Sequence, residues 1–429
     1  MYGIDTAHTA IADPRELSRR ATRRARRAEA HNVMRREAWA VRCGVCLLVA
    51  SLSLPHLLAS QGPLTTQREF VLPTPGLGVG NAVIELRGGG FAAVGYGDFG
   101  GPTGTDVLLV RFDPAGDTLW TRSYGSGRED FGWDVVEAQD GGFFLVGYTE
   151  APTEGREDVL VLRVDAVGAR LWQRTYGEAG RDRAWSAVLA EDGGIVIAAE
   201  SESMEHGGRD AYLLHIGSDG TARWIRRVDV PGDQRVYHVA KTDDGAFVAT
   251  GTTAEHPDTT RDAYVVRVAA DGDVVWTRSF GGAPDDVGHG VMALDSGDVL
   301  VTGYGATRSH GGTDVYFLRL DAVGNLRWWR YDGGVEDDRA MMSAPDLHGG
   351  FVSVGFSFRP TGPDIVVLEV DRDGTVKTRT VLERPGVDRG VMIVAPRGGG
   401  YVLTGTLGHA DASPGDFAVL WLASTGPSR

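Results

Sequence analysis

From about residue 68 to its end the chain repeats itself every 52 residues. The glycine that opens the second apolar run of each unit falls at Gly89, Gly141, Gly193, Gly245, Gly297, Gly349 and Gly399, so only the last step is short, at 50. Repetition this strict means that every unit meets the same surroundings, which leaves stacked solenoids and closed rings as the available architectures.

Three more columns keep the register. An aspartate stands at Asp106, Asp158, Asp210, Asp262, Asp314, Asp364 and Asp416, and a glycine at Gly116, Gly168, Gly220, Gly272, Gly324, Gly374 and Gly426. A tryptophan follows at Trp120, Trp172, Trp224, Trp276 and Trp328, with Thr378 in the sixth unit. The missing two residues therefore fall between Gly349 and Asp364, in a loop. Each unit holds four short apolar runs, such as WSAVLA, FFLVGY, VLVLRV and WQRTYG, divided by turns rich in Gly and Asp. Four strands per unit, apolar on both faces, make the blade of a β-propeller, in which blades pack face to face.

The arithmetic of the ends favours a ring. The seventh unit supplies RGVMIVA, GYVLTGT and FAVLWLA and stops where its fourth strand is due. Counting back from Gly89 by the Trp120-to-Gly141 spacing lands on Arg68, so Arg68 to Pro73 is expected to be the missing outer strand. The fold expected is all-β: a seven-bladed β-propeller over 65–429, four antiparallel strands per blade, closed by an N-terminal strand that completes the last blade and covers two free edges. Composition agrees. Glycine supplies 61 of 429 residues and lysine only Lys241 and Lys377, which suits many turns and few helices.

The N-terminal 60 residues are different in kind. They carry ten Arg and five acidic residues, which leaves 33 basic and 53 acidic residues beyond, near −20. A body so acidic argues against nucleic acid or an anionic membrane surface as partner. From Met34 a basic start leads into an uncharged apolar run from about Cys43 to Ala59, the pattern of a signal peptide. Residues 34–60 are read as that signal, with an uncleaved N-terminal anchor as its rival and the only membrane attachment expected. Residues 1–33 are read as an Arg-rich extension outside the natural product. Cys43 and Cys46 both lie in this segment, so the propeller needs no disulfide. The expectation is an exported monomer, periplasmic, cell-surface or extracellular.

The DGG-aromatic strand, the VGYT end, the D-hydrophobic strand, the Gly turn and the W-x-R-x-x-G strand resemble the bacterial seven-bladed β-propeller repeat family. That resemblance implies a secreted or envelope propeller and no particular activity. One departure stands out, since the third-strand Arg111, Arg163, Arg267 and Arg319 become His215, Glu369 and Trp421 in other units. This reads as surface drift. A weaker likeness to quinoprotein dehydrogenase repeats lacks their disulfide and metal features.

Ligands of propellers usually bind where the loops entering the inner strands meet the central channel. The first ring there is Asp130, Asp182, Gln234, Asp286, Asp338 and Asp388, followed by Arg183, Arg235, Arg339 and Arg389. Each Asp is expected either to cap its own turn and pair with a neighbouring Arg, or to help hold Ca²⁺ or a polyhydroxylated ligand. No cofactor is otherwise expected, and DRDG at Asp371 to Gly374 is the nearest approach to a calcium loop. The next column, Asn81, Trp133, Trp185, Tyr237, His289, Met341 and Val391, offers aromatic faces to a sugar or aromatic ligand, or wedges between blades as core. The Asp before each third strand reads as structural. His206, His256, His310 and His409 sit in outer loops and share too little register to form a metal site.

No nucleophile elbow, HExxH, phosphate-binding Gly loop or reactive cysteine is present. The reading is a non-catalytic binding propeller for a protein or glycan. The alternative is a polysaccharide- or peptide-directed hydrolase or lyase at the same face.

Overall fold

The computed structural model describes residues 63–424 apart from 99–103, 151–155, 203–207, 229–231, 255–258, 307, 309–310 and 410–414. The extension, the signal segment, His206, His256, His310 and Gly426 lie outside the described residues.

Among the described residues, twenty-eight strands form seven four-stranded antiparallel sheets. In blade 1, Gly78–Glu85, Phe91–Asp98, Thr105–Phe112 and Thr118–Tyr124 pair in chain order from the inner strand outward. Blades 2 to 6 repeat this, with inner strands Asp130–Glu137, Asp182–Leu189, Asp233–Lys241, Asp286–Ala293 and Asp338–Pro345. Blade 7 takes three strands from the C-terminal end, Arg389–Val394, Tyr401–Leu407 and Asp416–Ser424, and its outer strand from Leu64–Leu72. The seam runs antiparallel with Arg68 opposite Trp421, and the closing strand starts four residues before the expected Arg68. The short sixth unit also falls where the spacing put it. There the second and third strands, Phe351–Arg359 and Gly362–Val370, run on to a two-residue connection.

The apolar side chains form seven clusters, each shared by two successive blades. Blades 7 and 1, for example, bury Phe112 and Phe417 against each other. Every blade buries both faces in this way, which is why the strands read as near-continuous apolar runs. Full burial of each large side chain contributes about 1.5–3 kcal/mol, so the ring is held mainly at its interfaces.

Two columns explain one another. Gly168 adopts φ +83°, and a Cβ there would lie 3.1 Å from the Trp120 ring of the preceding blade. Tyr124 of that blade donates to the Gly168 carbonyl at 2.8 Å. The outer Trp of one blade thus packs on the third-to-fourth-strand turn of the next, and glycine meets both the left-handed turn and the close approach.

The third-strand substitutions are not surface drift. Arg163 and Arg267 are buried, at 5% and 6% exposure. They reach back to the first turn of their own blade, on Asp140 and Asp244, both at 2.6 Å. Arg319 and His215 make the corresponding contacts with Asp298 and Asp192. Buried Glu369 instead accepts from Tyr401 of the next blade at 2.9 Å. A charge this enclosed costs free energy unless paired, so each substitution must bring its own partner.

Candidate ligand site

All seven inner strands bulge at one column. The register shifts at Asn81, Trp133, Trp185, Tyr237, His289, Met341 and Val391, where two inner-strand residues face one residue of the second strand. A bulge bends its strand and re-aims the extra side chain. Here it lifts one residue per blade out of the interblade cores: Trp133, Trp185, Tyr237 and His289 belong to none of the seven clusters and are half-buried.

The rings touch across blade boundaries. Trp133 meets Trp185 edge-on at 4.5 Å between centroids, Trp185 meets Tyr237 at 6.2 Å, and Tyr237 stacks on His289 at 5.4 Å and 16°. Four blades therefore contribute one continuous aromatic arc to the inner wall. Met341 and Val391 continue the column in blades 6 and 7, and Asn81 closes it by donating to the Gly132 carbonyl of blade 2 at 2.7 Å.

The residue after each bulge is a feature that sequence reading missed. The bulge frees a backbone N–H, and a polar side chain from the preceding blade accepts it. Asp134 accepts from Ala187 N at 2.9 Å and Ser186 from Val239 N at 3.4 Å, while His238 Nδ1 faces the Val291 backbone, 3.0 Å from its carbonyl oxygen and 3.3 Å from its N. The signal available was three polar residues in an otherwise apolar column. Burial pushes the Asp134 carboxyl up to about 6, and pushes His238 and His289 down to about 4.

The aspartate ring is drawn into its turns. Asp130, Asp182, Asp286, Asp338 and Asp388 are each at most 2% exposed. Asp130 accepts from Ser126 N at 2.6 Å, Asp182 from Glu178 N at 3.0 Å and Asp388 from Gly408 N at 2.9 Å. Asp286 accepts from the Tyr331 hydroxyl at 2.8 Å and Asp338 from Arg379 at 2.5 Å. At DRDG, Asp371 accepts from Asp373 N and Thr375 N and pairs with Lys377 at 2.7 Å. Among the described residues no three His, Cys, Asp or Glu side chains converge to hold a metal. His409 lies against Asp416 at 3.1 Å.

The four arginines do not take the ring aspartates as partners. Three of them reach sideways onto an aromatic ring of the preceding blade. Arg183 stands 5.0 Å over Tyr148 and makes a two-point contact with buried Glu157, with Nη2 to Oε1 at 2.9 Å. Arg235 pairs with Asp233 at 3.2 Å. Arg339 lies 4.9 Å over Tyr304 and 5.1 Å over Phe358, and Arg389 lies 5.6 Å over Phe356. Glu200 fills the second-strand position held by Tyr148 and Tyr304 in other blades, and burial pushes its carboxyl above the ordinary range. Glu157 and Glu200 carry no repeat signature and were invisible in the columns.

No protein-family model matches the chain. A 140-residue stretch is 26% identical to the regulatory protein FlaEY of Caulobacter vibrioides, covering 28% of this chain and 15% of that protein. Among solved structures, the Neurospora crassa Pan2 WD40 domain aligns over 87% of this chain and 99% of its own at TM-score 0.55 and 11% identity. Puromycin hydrolase aligns over 77% of this chain and 50% of its own at TM-score 0.50 and 18% identity. The chain thus spans half of that hydrolase and a small part of FlaEY. Likeness at these identities establishes the fold and carries no activity.

Proposed function

We propose that this chain is a non-catalytic binding propeller whose ligand, a glycan or protein segment, docks at the channel mouth against the arc of Trp133, Trp185, Tyr237 and His289. The observation that carries the reading is the bulge in each inner strand, which holds these rings out of the blade cores. These rings pack on one another along the inner wall rather than in a blade core, and partly exposed aromatic faces suit the C–H face of a sugar or an aromatic side chain. The near-constant loop lengths support binding over chemistry, since an active site usually needs one enlarged or divergent loop.

The apolar run before Ala59 supports an exported protein of the envelope or secretome, acting as a monomer. The repeat columns support placing it with the bacterial seven-bladed repeat propellers. A hydrolase or lyase reading draws on Glu200, a buried carboxyl opposite Arg183 whose pKa burial raises, the direction a general acid needs.

A glycan array combined with a hydrolysis screen on the full chain tests both readings. Saturable binding that Trp185→Ala weakens, with no product formed, is the expected result. Turnover abolished by Glu200→Gln would replace the binding reading with the catalytic one.

A further inference from the structure

The sevenfold pattern breaks at one sector of the mouth. Of the four arginines that follow the ring residues, Arg183 and Arg235 are neutralised by Glu157 and Asp233. Arg339 and Arg389, at the start of neighbouring inner strands, have no carboxylate within ion-pair distance and no hydrogen-bond partner among the described residues, and Arg339 Nε is buried without one. The carboxylates beside them are already engaged, Asp338 by Arg379 and Asp388 by Gly408 N on one oxygen and Arg384 at 3.6 Å from the other.

Both guanidinium groups are nevertheless held in place. Arg339 lies over Tyr304 and Phe358, Arg389 over Phe356, and the two Phe rings touch at 5.6 Å. This gives an unbroken run of Tyr304, Arg339, Phe358, Phe356 and Arg389 across blades 5 to 7. A guanidinium flat on a ring keeps its N–H edge free to fork onto a planar anion. In a chain with a net charge of −15, two fixed and uncompensated arginines at one sector form a local reversal of sign.

We infer that the ligand is an acidic glycan, whose carboxylates are taken by Arg339 and Arg389 while its sugar rings lie on the arc of Trp133, Trp185 and Tyr237. This rests on the binding reading above and names the ligand class for that site. The arc runs through blades 2 to 5 and the cationic sector through blades 5 to 7, so an extended oligosaccharide at the mouth meets both.

The test is titration of the full chain with oligogalacturonate, oligoalginate and hyaluronan fragments, each beside its methyl-esterified or carboxyl-reduced counterpart. At least one acid form is expected to saturate, with its neutral counterpart weaker. Arg339→Gln with Arg389→Gln should weaken it on the order of 10- to 100-fold, the scale of hydrogen bonds to charged groups. Melting of the double variant should stay close to that of the parent, since neither side chain has an ion pair to lose. Trp185→Ala should weaken acid and neutral forms alike. Acid binding that ignores the double substitution, or preference for the neutral forms, overturns this inference and leaves the aromatic site standing. If no glycan of either kind saturates, this inference falls and the binding reading is left with a protein segment as its ligand.

Discussion

Arg68, on the first strand, lies directly opposite Trp421, on the last, with its guanidinium 5.9 Å over the indole. The same pair occurs in four other blades with the strands exchanged: Arg111 opposite Trp120, Arg163 opposite Trp172, Arg267 opposite Trp276 and Arg319 opposite Trp328. The seam therefore exchanges the two residue types between the strands, and it differs in contact too: in the other blades the outer Trp lies under the arginine two residues on along its own strand, as Trp120 does under Arg122 at 5.6 Å. Trp421 still packs on a neighbour's turn glycine, here Gly116 of blade 1, and its ring contacts Phe91 and Phe112.

Inversion predicts coupling. Trp421→Arg alone should destabilise by about 2–3 kcal/mol, below the cost of a fully buried Trp. Adding Arg68→Trp restores the arrangement of the other blades and should recover at least about 1 kcal/mol. Chemical denaturation of the two single variants and the double variant measures this. Strict additivity would mean that the two side chains act independently.

Removal of residues 61–74 takes away the whole outer strand of blade 7. The ladder to Asp416–Ser424 is lost and Phe417 is uncovered on one side. A cost of several kcal/mol follows from the strand's hydrogen bonds and packing. Unchanged melting would show that the ring does not depend on its seam.

Asp134 gives the propeller a pH dependence of defined sign. Its folded value, about 6, lies above the ordinary 3.8 because it is buried, so the native state binds the proton more tightly than the unfolded chain. Its contribution to stability therefore rises as pH falls from 7 toward 4, by up to roughly 3 kcal/mol. Asp134→Asn should lose that dependence. Parallel stability-against-pH curves for parent and variant would refute it.

His238 acts in the opposite direction. Burial lowers it to about 4, so the native state excludes the proton and the stabilising contribution is complete above about 6.5. That contribution falls away as pH drops toward 4. His238→Gln should flatten the acid limb of the unfolding curve between these values, while Asp134→Asn steepens it. If the acid limb is the same in both variants, the interblade N–H contacts do not titrate.

Fold and site were legible to different degrees. The glycine column gave the number of blades, the Trp120-to-Gly141 spacing located Arg68 at the seam, and the short unit pointed to the connection between Gly349 and Asp364. The aromatic column was visible as well. Its bulge was not, because a bulge is a relation between two strands and leaves no mark in either alone. The partners of Arg183 and Arg339 were hidden for the same reason: Glu157 and Tyr304 lie 26 and 35 residues away, and although Tyr304 belongs to a repeat column, its contact with Arg339 is made only between packed blades.

By itself the sequence determined the period, and the period determined the ring, because units with identical surroundings must be related by rotation or stacking. Only the tertiary structure decided which groups are compensated. That depends on distances between side chains of adjacent blades, and such distances exist only once the sheets have packed.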